Sequence, residues 1–335
     1  MGKIACITFN YLHKNTELSA KSIGADIYKV TKEHGSKATA IFRSIWLSIK
    51  LKKYETYLID AAWALFIPLI KRLIFRNKIM VIYRLNNPFF NDTWFLKNKN
   101  PFEKFIIKIL RKQVDGIIAV SSVTANDAKI HRKPYVIAYS MLENLDEFLK
   151  IKPNLNTNNF LTMGYAPYKA FDITLSVFHE IRKHKPDSKL IFLGKYSNND
   201  IKKYYKNLDM TNVVICGYVK DVKKYLEGAS YFIEFPHYEP GPTSVLESMA
   251  AGLICFSNEN LGHKDFIKKV SKDLIIKSKD PKKIANEIIK IVGNNKKKKI
   301  ISKKSKEIAK LFRKEYRLRM FRKAFFNILS KLEPH

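Results

Sequence analysis

The sequence predicts an α/β protein of two domains, each built on a parallel β-sheet with helices on both faces. Three observations support this fold class. The chain has 335 residues, which is more than one hydrophobic core usually organises. Hydrophobic residues make up 46% of it and aromatic residues 13%, enough to fill packed cores. Short apolar runs alternate with amphipathic stretches, which is the pattern of strands followed by crossover helices.

The first half of the chain contains five apolar runs that we interpret as strands of one sheet. Each is short and is bounded by polar or turn-forming residues, as buried parallel strands are. We therefore expect a Rossmann-like, doubly wound domain over residues 1–152. The predicted strands are Ile4–Phe9, Thr56–Ile59, Ile79–Tyr83, Gly116–Val120 and Tyr135–Ala138.

A polar, asparagine-rich stretch at residues 152–159 follows and is typical of an interdomain linker, because it holds a proline and little to bury. Beyond it, strands and helices again alternate, and we expect a second Rossmann-like domain over residues 153–301 that faces the first across a cleft. Its predicted strands are Phe160–Met163, Lys189–Leu193, Val213–Cys216, Tyr231–Glu234, Leu253–Ser257 and Leu274–Ile276. Its predicted helices are Asp172–Lys183, Val222–Glu227, Thr243–Ala251 and one that Asp280 caps, with Pro281 at the first position.

The C-terminal stretch, residues 302–335, is predicted to be a basic amphipathic helix. Its apolar residues recur at spacings near three, four and seven, which places them on one stripe flanked by Lys and Arg. Such a helix can lie on a membrane, but packing on the protein itself is commoner, and we expect it to pack back on the N-terminal domain. The stripe consists of Ile308, Leu311, Phe312, Leu318, Phe321, Phe325, Ile328 and Leu332.

The charge of the chain is strongly positive, since 62 Lys and Arg face 30 Asp and Glu, a formal net charge of +32. An acidic partner is one explanation: nucleic acid, an anionic membrane or a phosphate-rich ligand. A codon bias that places Lys wherever solvent permits is the other. Several basic residues surround an apolar segment of the first domain and would suit an anionic membrane; they are Lys50, Lys52, Lys53, Lys71, Arg72 and Arg76.

The expected location is cytoplasmic, with peripheral binding to the inner face of the cell membrane as a further option. Cys6, Cys216 and Cys255 are far apart, in apolar contexts and odd in number, as in a reducing compartment. The apolar stretch Ile4–Phe9 is too short for a secretory signal. The longest apolar run, Ala61–Ile70, is too short to span a bilayer.

The most informative stretch is residues 235–252, which leave a predicted strand, turn through a Pro-Gly-Pro sequence and open a helix at Thr243 or Ser244. Free backbone N–H groups and the positive end of the helix dipole then favour a phosphate. Glu247, on the helix, can accept hydrogen bonds from a ribose diol, and Glu239, before it, can reach a sugar hydroxyl. The alternative is that Glu247 only compensates the helix dipole and Glu239 is a solvated loop charge.

This stretch resembles the Glu-x7-Glu signature of glycosyltransferase family four and related retaining GT-B enzymes. Glu239 and Glu247 occupy the two Glu positions, Ser248 replaces the usual Ala, and residues 249–252 match the end of the motif. The resemblance implies a GT-B fold and transfer of a sugar, with retention, from a UDP- or GDP-sugar to a glycan or lipid-linked acceptor in surface polysaccharide or glycoconjugate synthesis. It implies neither an obligatory metal nor another cofactor, and no Asp-x-Asp metal motif is present.

Further landmarks follow in the order of the family. Residues 164–172 resemble the segment whose basic residues grip the donor diphosphate, with Tyr165 where Arg is usual and Ala170 where Gly is usual. Residues 217–220 resemble the segment that packs on the base. The implied catalytic residues are Lys169 and Glu239. The implied donor-binding residues are Gly164, Tyr165, Lys169, Tyr218, Val219, Lys220, Glu239, Gly241, Thr243, Ser244, Val245 and Glu247.

The first half resembles the family more loosely, because residues 10–15 stand where a Gly-rich loop is usual. Arg84 and Asn86, just after a predicted strand, are candidates for contact with the acceptor or donor sugar, whereas His13 and His131 are interpreted as loop residues. Two alternatives stay open. One is a basic nucleic-acid-binding protein, although no zinc-ligand spacing or aromatic RNA-binding motif is present and no nucleic acid is expected. The other is a catalytically weak sugar-nucleotide-binding GT-B homologue.

Overall fold

The computed structural model describes residues 2–9, 12–31, 37–74, 76, 78–164, 167–195 and 209–332, and within the helix at 37–50 it describes side chains from residue 42. The chain forms two compact units, Met1–Met141 with Lys314–His335, and Leu142–Arg313. Each unit is built on one parallel sheet. The predicted pair of Rossmann-like parallel-sheet domains is therefore confirmed.

The first unit has six parallel strands in the order β2-β1-β3-β4-β5-β6. The edge strand β2 was not predicted from the sequence, because its residues are exposed or only partly buried and form no apolar run. The strands are β1 (Lys3–Thr8), β2 (Asp26–Lys29), β3 (Tyr54–Ile59), β4 (Met80–Leu85), β5 (Gly116–Ala119) and β6 (Tyr135–Ile137).

The α-helices described in this unit are α1 (Lys14–Ser22), α2 (Lys37–Lys50), α3 (Phe66–Ile74), α4 (Asp92–Phe95), α5 (Pro101–Lys112), α6 (Ser122–Ile130) and α14 (Lys314–Leu332). Leu47, Ile67 and Ile107 bring α2, α3 and α5 into one buried cluster. Ala20 and Phe325 bring α1 and α14 into another. The sheet is therefore covered by two separate helical layers, as in a doubly wound fold.

Lys71 does not lie on the surface, so its predicted place among the surface cations is wrong. Its Nζ is fully buried in the first unit and donates to Leu51 O at 2.8 Å, Tyr54 O at 3.2 Å and the Tyr57 hydroxyl at 2.7 Å. Burial lowers the pKa of Lys71 to about 8. The Lys71 ammonium thus donates hydrogen bonds to backbone carbonyls in the segment after α2 and does not contact solvent.

In the described part of the second unit, five parallel strands follow the order β11-β10-β7-β8-β9. They are β7 (Asn159–Met163), β8 (Lys189–Leu193), β9 (Val213–Ile215), β10 (Tyr231–Glu234) and β11 (Ile254–Ser257). The helices described in this unit are α7 (Leu145–Lys150), α8 (Phe171–His184), α9 (Lys223–Glu227), α10 (Thr243–Ala251), α11 (Lys264–Val270), α12 (Pro281–Val292) and α13 (Asn295–Ala309).

The predicted strand Leu274–Ile276 is wrong. A 3₁₀ turn occupies Lys272–Leu274, and only an isolated bridge joins Ile275 to Ser257. Leu274, Ile275 and Ile276 are nevertheless buried. Their apolar run therefore reflects packing of a connecting segment, and burial alone does not distinguish this from a strand.

The two units divide at Leu142 and at Lys314 rather than after residues 152 and 301. The asparagine-rich stretch lies within the second unit, because Ser230 Oγ donates to Asn154 O at 2.5 Å and to Thr157 O at 2.7 Å. Helix α7 precedes it and packs on α10. These hydrogen bonds from the Ser230 hydroxyl to backbone carbonyls make a stretch with the composition of a linker an ordered part of the domain.

The C-terminal stretch divides between the units and is not one helix. Helix α13 ends at Ala309 in the second unit, a 3₁₀ turn follows at Lys310–Phe312, and α14 lies on the first sheet. Gly116 in β5 permits that approach, since a Cβ there would come within 2.8 Å of Ile328 Cγ1. Among the described residues, no helix has the length and apolar character that crossing a membrane requires.

Phe325→Ala should destabilise the protein by about 3–5 kcal/mol, because it empties a fully buried site between α14 and the sheet. Urea unfolding measures the change. The matched control is Lys323→Ala on the exposed side of the same helix, which should alter the free energy of unfolding by less than about 0.5 kcal/mol. Equal stabilities of the two variants would contradict the packing of α14.

Candidate functional site

The second sheet has a topological switch point between β7 and β10. From β7 the chain moves outward to β8 and β9, then returns to place β10 on the other side of β7. Parallel α/β sheets bind ligands at the carboxyl ends of strands flanking such a reversal. The predicted site residues follow these strands: Gly164 and Lys169 follow β7, and Glu239 to Glu247 follow β10.

Lys169 joins two carboxylates at this switch point. Its Nζ lies 2.6 Å from Glu234 Oε1 and 2.7 Å from Glu239 Oε2. The Lys169 side chain is 17% exposed, and both carboxylates are almost fully buried. Glu234 Oε2 has no hydrogen-bond partner within the part of the chain that the structure describes. Lys169 and Glu239 were predicted from the sequence, whereas Glu234, the last residue of β10, was missed.

Burial and charge act in opposite directions on this cluster. Burial favours a neutral Lys169, but Glu234 and Glu239 outweigh it and raise the pKa of the amine. Burial raises the pKa of Glu234 to about 7, with Lys169 opposing the rise and Glu239 adding to it. Lys169 therefore carries its charge, and Glu234 is the carboxylate of the cluster whose pKa burial raises toward neutral pH.

Glycines make room for the lysine. Gly164 has φ +122°, and a Cβ there would lie 2.3 Å from Lys169 Cδ. A Cβ on Gly194, at the end of β8, would lie 2.8 Å from Gly164 O. Ala170 adopts a left-handed conformation, φ 49°, just before α8, and this explains why the resembling family usually has Gly there. The Lys169 side chain thus packs against the backbone of residue 164, where any side chain would collide with it.

The loop that carries Glu239 is held by backbone hydrogen bonds. Glu239 N donates to Asn260 O at 3.0 Å, and Gly262 N donates to Glu239 O at 2.7 Å. A Cβ on Gly262 would lie 2.0 Å from Pro240 O, so the two segments approach as backbone only. On the β7 side, Tyr168 O accepts from the amides of residues 237 and 238. The Glu239 carboxylate is therefore positioned by both neighbouring loops.

Helix α10 starts beside this loop without a side-chain cap among the described residues. Pro242 at the N-cap supplies no side-chain acceptor, and the first turn, Thr243 to Val245, holds no acidic residue. Glu247 lies beyond that turn, which argues against a role in compensating the dipole. It is partly buried, and burial raises its pKa to about 7. Uncapped amides of this kind bind phosphate or other anions.

The segment predicted to pack on the base lies at the same edge of the sheet, after β9. Gly217 has φ +67° and accepts a hydrogen bond from Gly194 N at 2.9 Å, which links the loops after β8 and β9. Tyr218 is 73% exposed, and Val219 and Lys220 follow it. Tyr165, the other predicted donor contact, lies outside the described residues.

In the first unit, Arg84 is buried rather than presented at the surface. Its Nη1 donates to Thr16 Oγ1 at 2.9 Å. Burial raises the pKa of the nearby Asp60 carboxyl, while a hydrogen bond from Thr16 and the charge of Arg84 oppose the rise. Asp60 was missed, although it directly follows the apolar run of β3 at the carboxyl edge of the sheet. Asn86 is half-buried and accepts from Asn87 Nδ2 at 3.1 Å.

Comparisons with known proteins bear on the second half of the chain and on the fold. Residues 145–308, just under half of the chain, match the family model described as glycosyl transferases group 1. That segment contains Lys169, Glu234, Glu239 and Glu247. No curated protein sequence matches the chain.

Solved structures share the fold along the whole chain. Anabaena HepE in complex with UDP-glucose is 13% identical with a TM-score of 0.71, over 97% of this chain and 99% of that one. Sucrose-phosphate synthase from Thermosynechococcus elongatus is 12% identical with a TM-score of 0.73, over 98% and 100%. The lipopolysaccharide outer core galactosyltransferase WaaB is 12% identical with a TM-score of 0.67, over 98% and 99%. Identities this low show the fold alone.

Lys169→Met should destabilise the protein, because it leaves Glu234 and Glu239 buried without their cation, a loss of about 3–5 kcal/mol. Carboxyls whose folded-state pKa lies above the unfolded value bind protons on folding, so stability falls as pH rises. The deficit relative to wild type should therefore be larger at about pH 8 than at about pH 5.5. Urea unfolding at both pH values measures it, with the exposed Lys279→Met as control. A deficit independent of pH would contradict this account.

The sequence match and the fold together define the class of this protein. Residues 145–308 match the family model of glycosyl transferases group 1 in a chain with the GT-B fold, and the protein is a glycosyltransferase.

Proposed function

We propose that the protein transfers a sugar, with retention of anomeric configuration, from a UDP- or GDP-sugar to a glycan or lipid-linked acceptor. The observation that carries the proposal is the Lys169 ammonium, held by Glu234 and Glu239 at the switch point of the second sheet, with the uncapped start of α10 next to the Glu239 loop. The resemblance to family four supports retention, and the fold shared with a UDP-glucose complex supports a nucleotide-sugar donor.

The proposed donor lies along the carboxyl edge of the second sheet. Its diphosphate is bound by the amides of Thr243, Ser244 and Val245 and by Lys169, with Gly164 and Gly241 allowing close approach of the backbone. Glu247 accepts hydrogen bonds from the ribose. Glu239 accepts one from a hydroxyl of the transferred sugar, and residues 218–220 pack on the base. This order places each group on a residue of matching charge or hydrogen-bonding capacity.

The chemistry this arrangement supports is departure of a nucleoside diphosphate. The bond between the anomeric carbon and the phosphate oxygen breaks, the acceptor oxygen bonds to the same face of the sugar, and the acceptor proton leaves with the diphosphate. Negative charge grows on the departing oxygen, so a preorganised ammonium and helix amides stabilise the transition state more than the ground state. Lys169 keeps its positive charge because two carboxylates raise its pKa.

The acceptor is proposed to meet the carboxyl edge of the first sheet, where the half-buried Asn86 supplies a polar group. The proposed setting is the cytoplasm, with surface polysaccharide or glycoconjugate synthesis as the pathway class. A catalytically weak sugar-nucleotide binder is the alternative that Tyr165, in place of Arg, favours. The presence of Lys169, Glu239 and Glu247 supports an active enzyme instead.

Glu247→Ala should weaken donor binding by about tenfold or more, since a hydrogen bond to a charged group contributes about 1.5–3 kcal/mol. Thermal shift and calorimetry with a panel of UDP-, GDP-, ADP- and dTDP-sugars measure this loss and identify the donor. The matched control is Glu227→Ala, an exposed carboxylate of the same unit, which should bind donor as wild type does. A salt-sensitive shift with nucleic acid, and none with any sugar donor, would contradict the proposal.

Slow hydrolysis of the preferred donor should release the sugar with the anomeric configuration of the donor, because water then takes the place of the acceptor on the same face. Proton NMR recorded before mutarotation identifies the anomer. Release of the opposite anomer would exclude retention while leaving donor binding intact.

A further inference from the structure

Helix α2 presents its apolar side chains to the outside. Over residues 42–50, Phe42 is 74% exposed and Trp46 53% exposed, and Ile45 and Ile49 are exposed as well. Ser44 and Ser48 point inward and are fully buried. This is the reverse of a surface helix in water, whose polar residues face solvent.

On the inward side of α2, the Ser48 hydroxyl has backbone carbonyls as hydrogen-bond acceptors. Ser48 Oγ lies 2.5 Å from Ser44 O and 3.3 Å from Ile67 O, which belongs to the neighbouring α3. Leu47, also on this side, is buried in the core beneath. The orientation of the helix is therefore held by packing, and the outward stripe is a stable feature of the first unit.

The outward apolar residues of α2 form one stripe along the helix. Positions 42, 45, 46 and 49 follow helical spacings of three, four and seven, so they share a single face. Helices α3 and α5 cover the same core as α2 and add exposed large apolar side chains of their own: Leu73, Ile74, Phe102 and Phe105. An exposed apolar helix face of this kind marks an interaction site.

The charge around the stripe is wholly positive in sequence. No Asp or Glu occurs between Glu33 and Glu55, while Arg43, Lys50, Lys52 and Lys53 border the stripe and are exposed. The Lys50 ammonium lies 4.8 Å from the ring centroid of Trp46. Tryptophan flanked by cations is typical of membrane interfaces, where the ring sits at headgroup depth and the cation meets lipid phosphate.

We propose that the outer face of α2 binds the surface of an anionic lipid bilayer. Phe42, Ile45, Trp46 and Ile49 enter the interface, and the bordering Arg and Lys side chains pair with lipid phosphates. The helix lies in the plane of the membrane and does not cross it. A second copy of the chain fits this face less well, because it would bring two sets of like charges together. This interaction goes beyond glycosyl transfer and does not depend on the donor site.

Flotation of the full-length protein with vesicles tests the proposal. The protein should float with phosphatidylcholine vesicles that contain phosphatidylglycerol, float poorly with pure phosphatidylcholine, and dissociate as salt is raised. Phe42→Ser/Trp46→Ser should weaken partitioning by about tenfold or more, because both side chains lose their apolar contact with the lipid. The matched control, Ile130→Ser/Ile300→Ser, removes exposed apolar side chains elsewhere and should leave partitioning unchanged.

Two further readouts keep the outcomes distinct. Circular dichroism and the thermal shift with donor should be the same in Phe42→Ser/Trp46→Ser as in wild type, so loss of flotation is not loss of folding. No flotation of wild type with anionic vesicles, or equal flotation of the Phe42→Ser/Trp46→Ser variant, would overturn the proposal. So would a concentration-dependent dimer that the same variant abolishes, since the stripe would then bind a second copy. A normal donor shift in any of these cases leaves the proposed function standing.

Discussion

The site in the second unit depends on the ion contact of Lys169 with Glu234 and Glu239. A buried ammonium needs counter-charges within hydrogen-bond distance, and the two carboxylates come from the end of β10 and from the loop after it. Lys169 comes from the loop after β7. The neighbouring positions of β7 and β10 in the sheet are therefore what makes the contact possible, and the contact in turn joins the two loops of the switch point.

The backbone around this contact is shaped to permit it. Gly164 and Gly194 leave space where a Cβ would collide with Lys169 or with backbone, and Gly262 does the same beside Pro240. Backbone hydrogen bonds from Glu239 to Asn260 and from Gly262 to Glu239 hold the loop. Close backbone packing and hydrogen bonds thus surround the contact, and burial raises the pKa of Glu234 within it.

The basic residues of the chain have more than one structural role. Lys71 and Lys169 are internal and satisfy buried acceptors. Lys50, Lys52 and Lys53 are exposed beside the apolar face of α2. Composition counts all five alike, although the physical surroundings of an ammonium decide whether it stabilises the fold or attracts an anionic partner.

The sequence by itself determined the local structure and the loop-to-helix motif. Apolar runs located ten of the eleven described strands, because buried parallel strands need continuous apolar residues, and the run 235–252 indicated Glu239 and Glu247 through its turn and helix start. The tertiary structure alone decided what is brought together across the chain. In the sequence, Glu234 is only a polar residue at the end of a predicted strand. The sheet order, which places β10 beside β7, brings it to Lys169. Ser44 and Phe42 lie on one helix, and its amphipathic pattern does not show which of its two faces packs on the core. Burial and pairing are properties of distant segments in contact, and a linear pattern does not contain them.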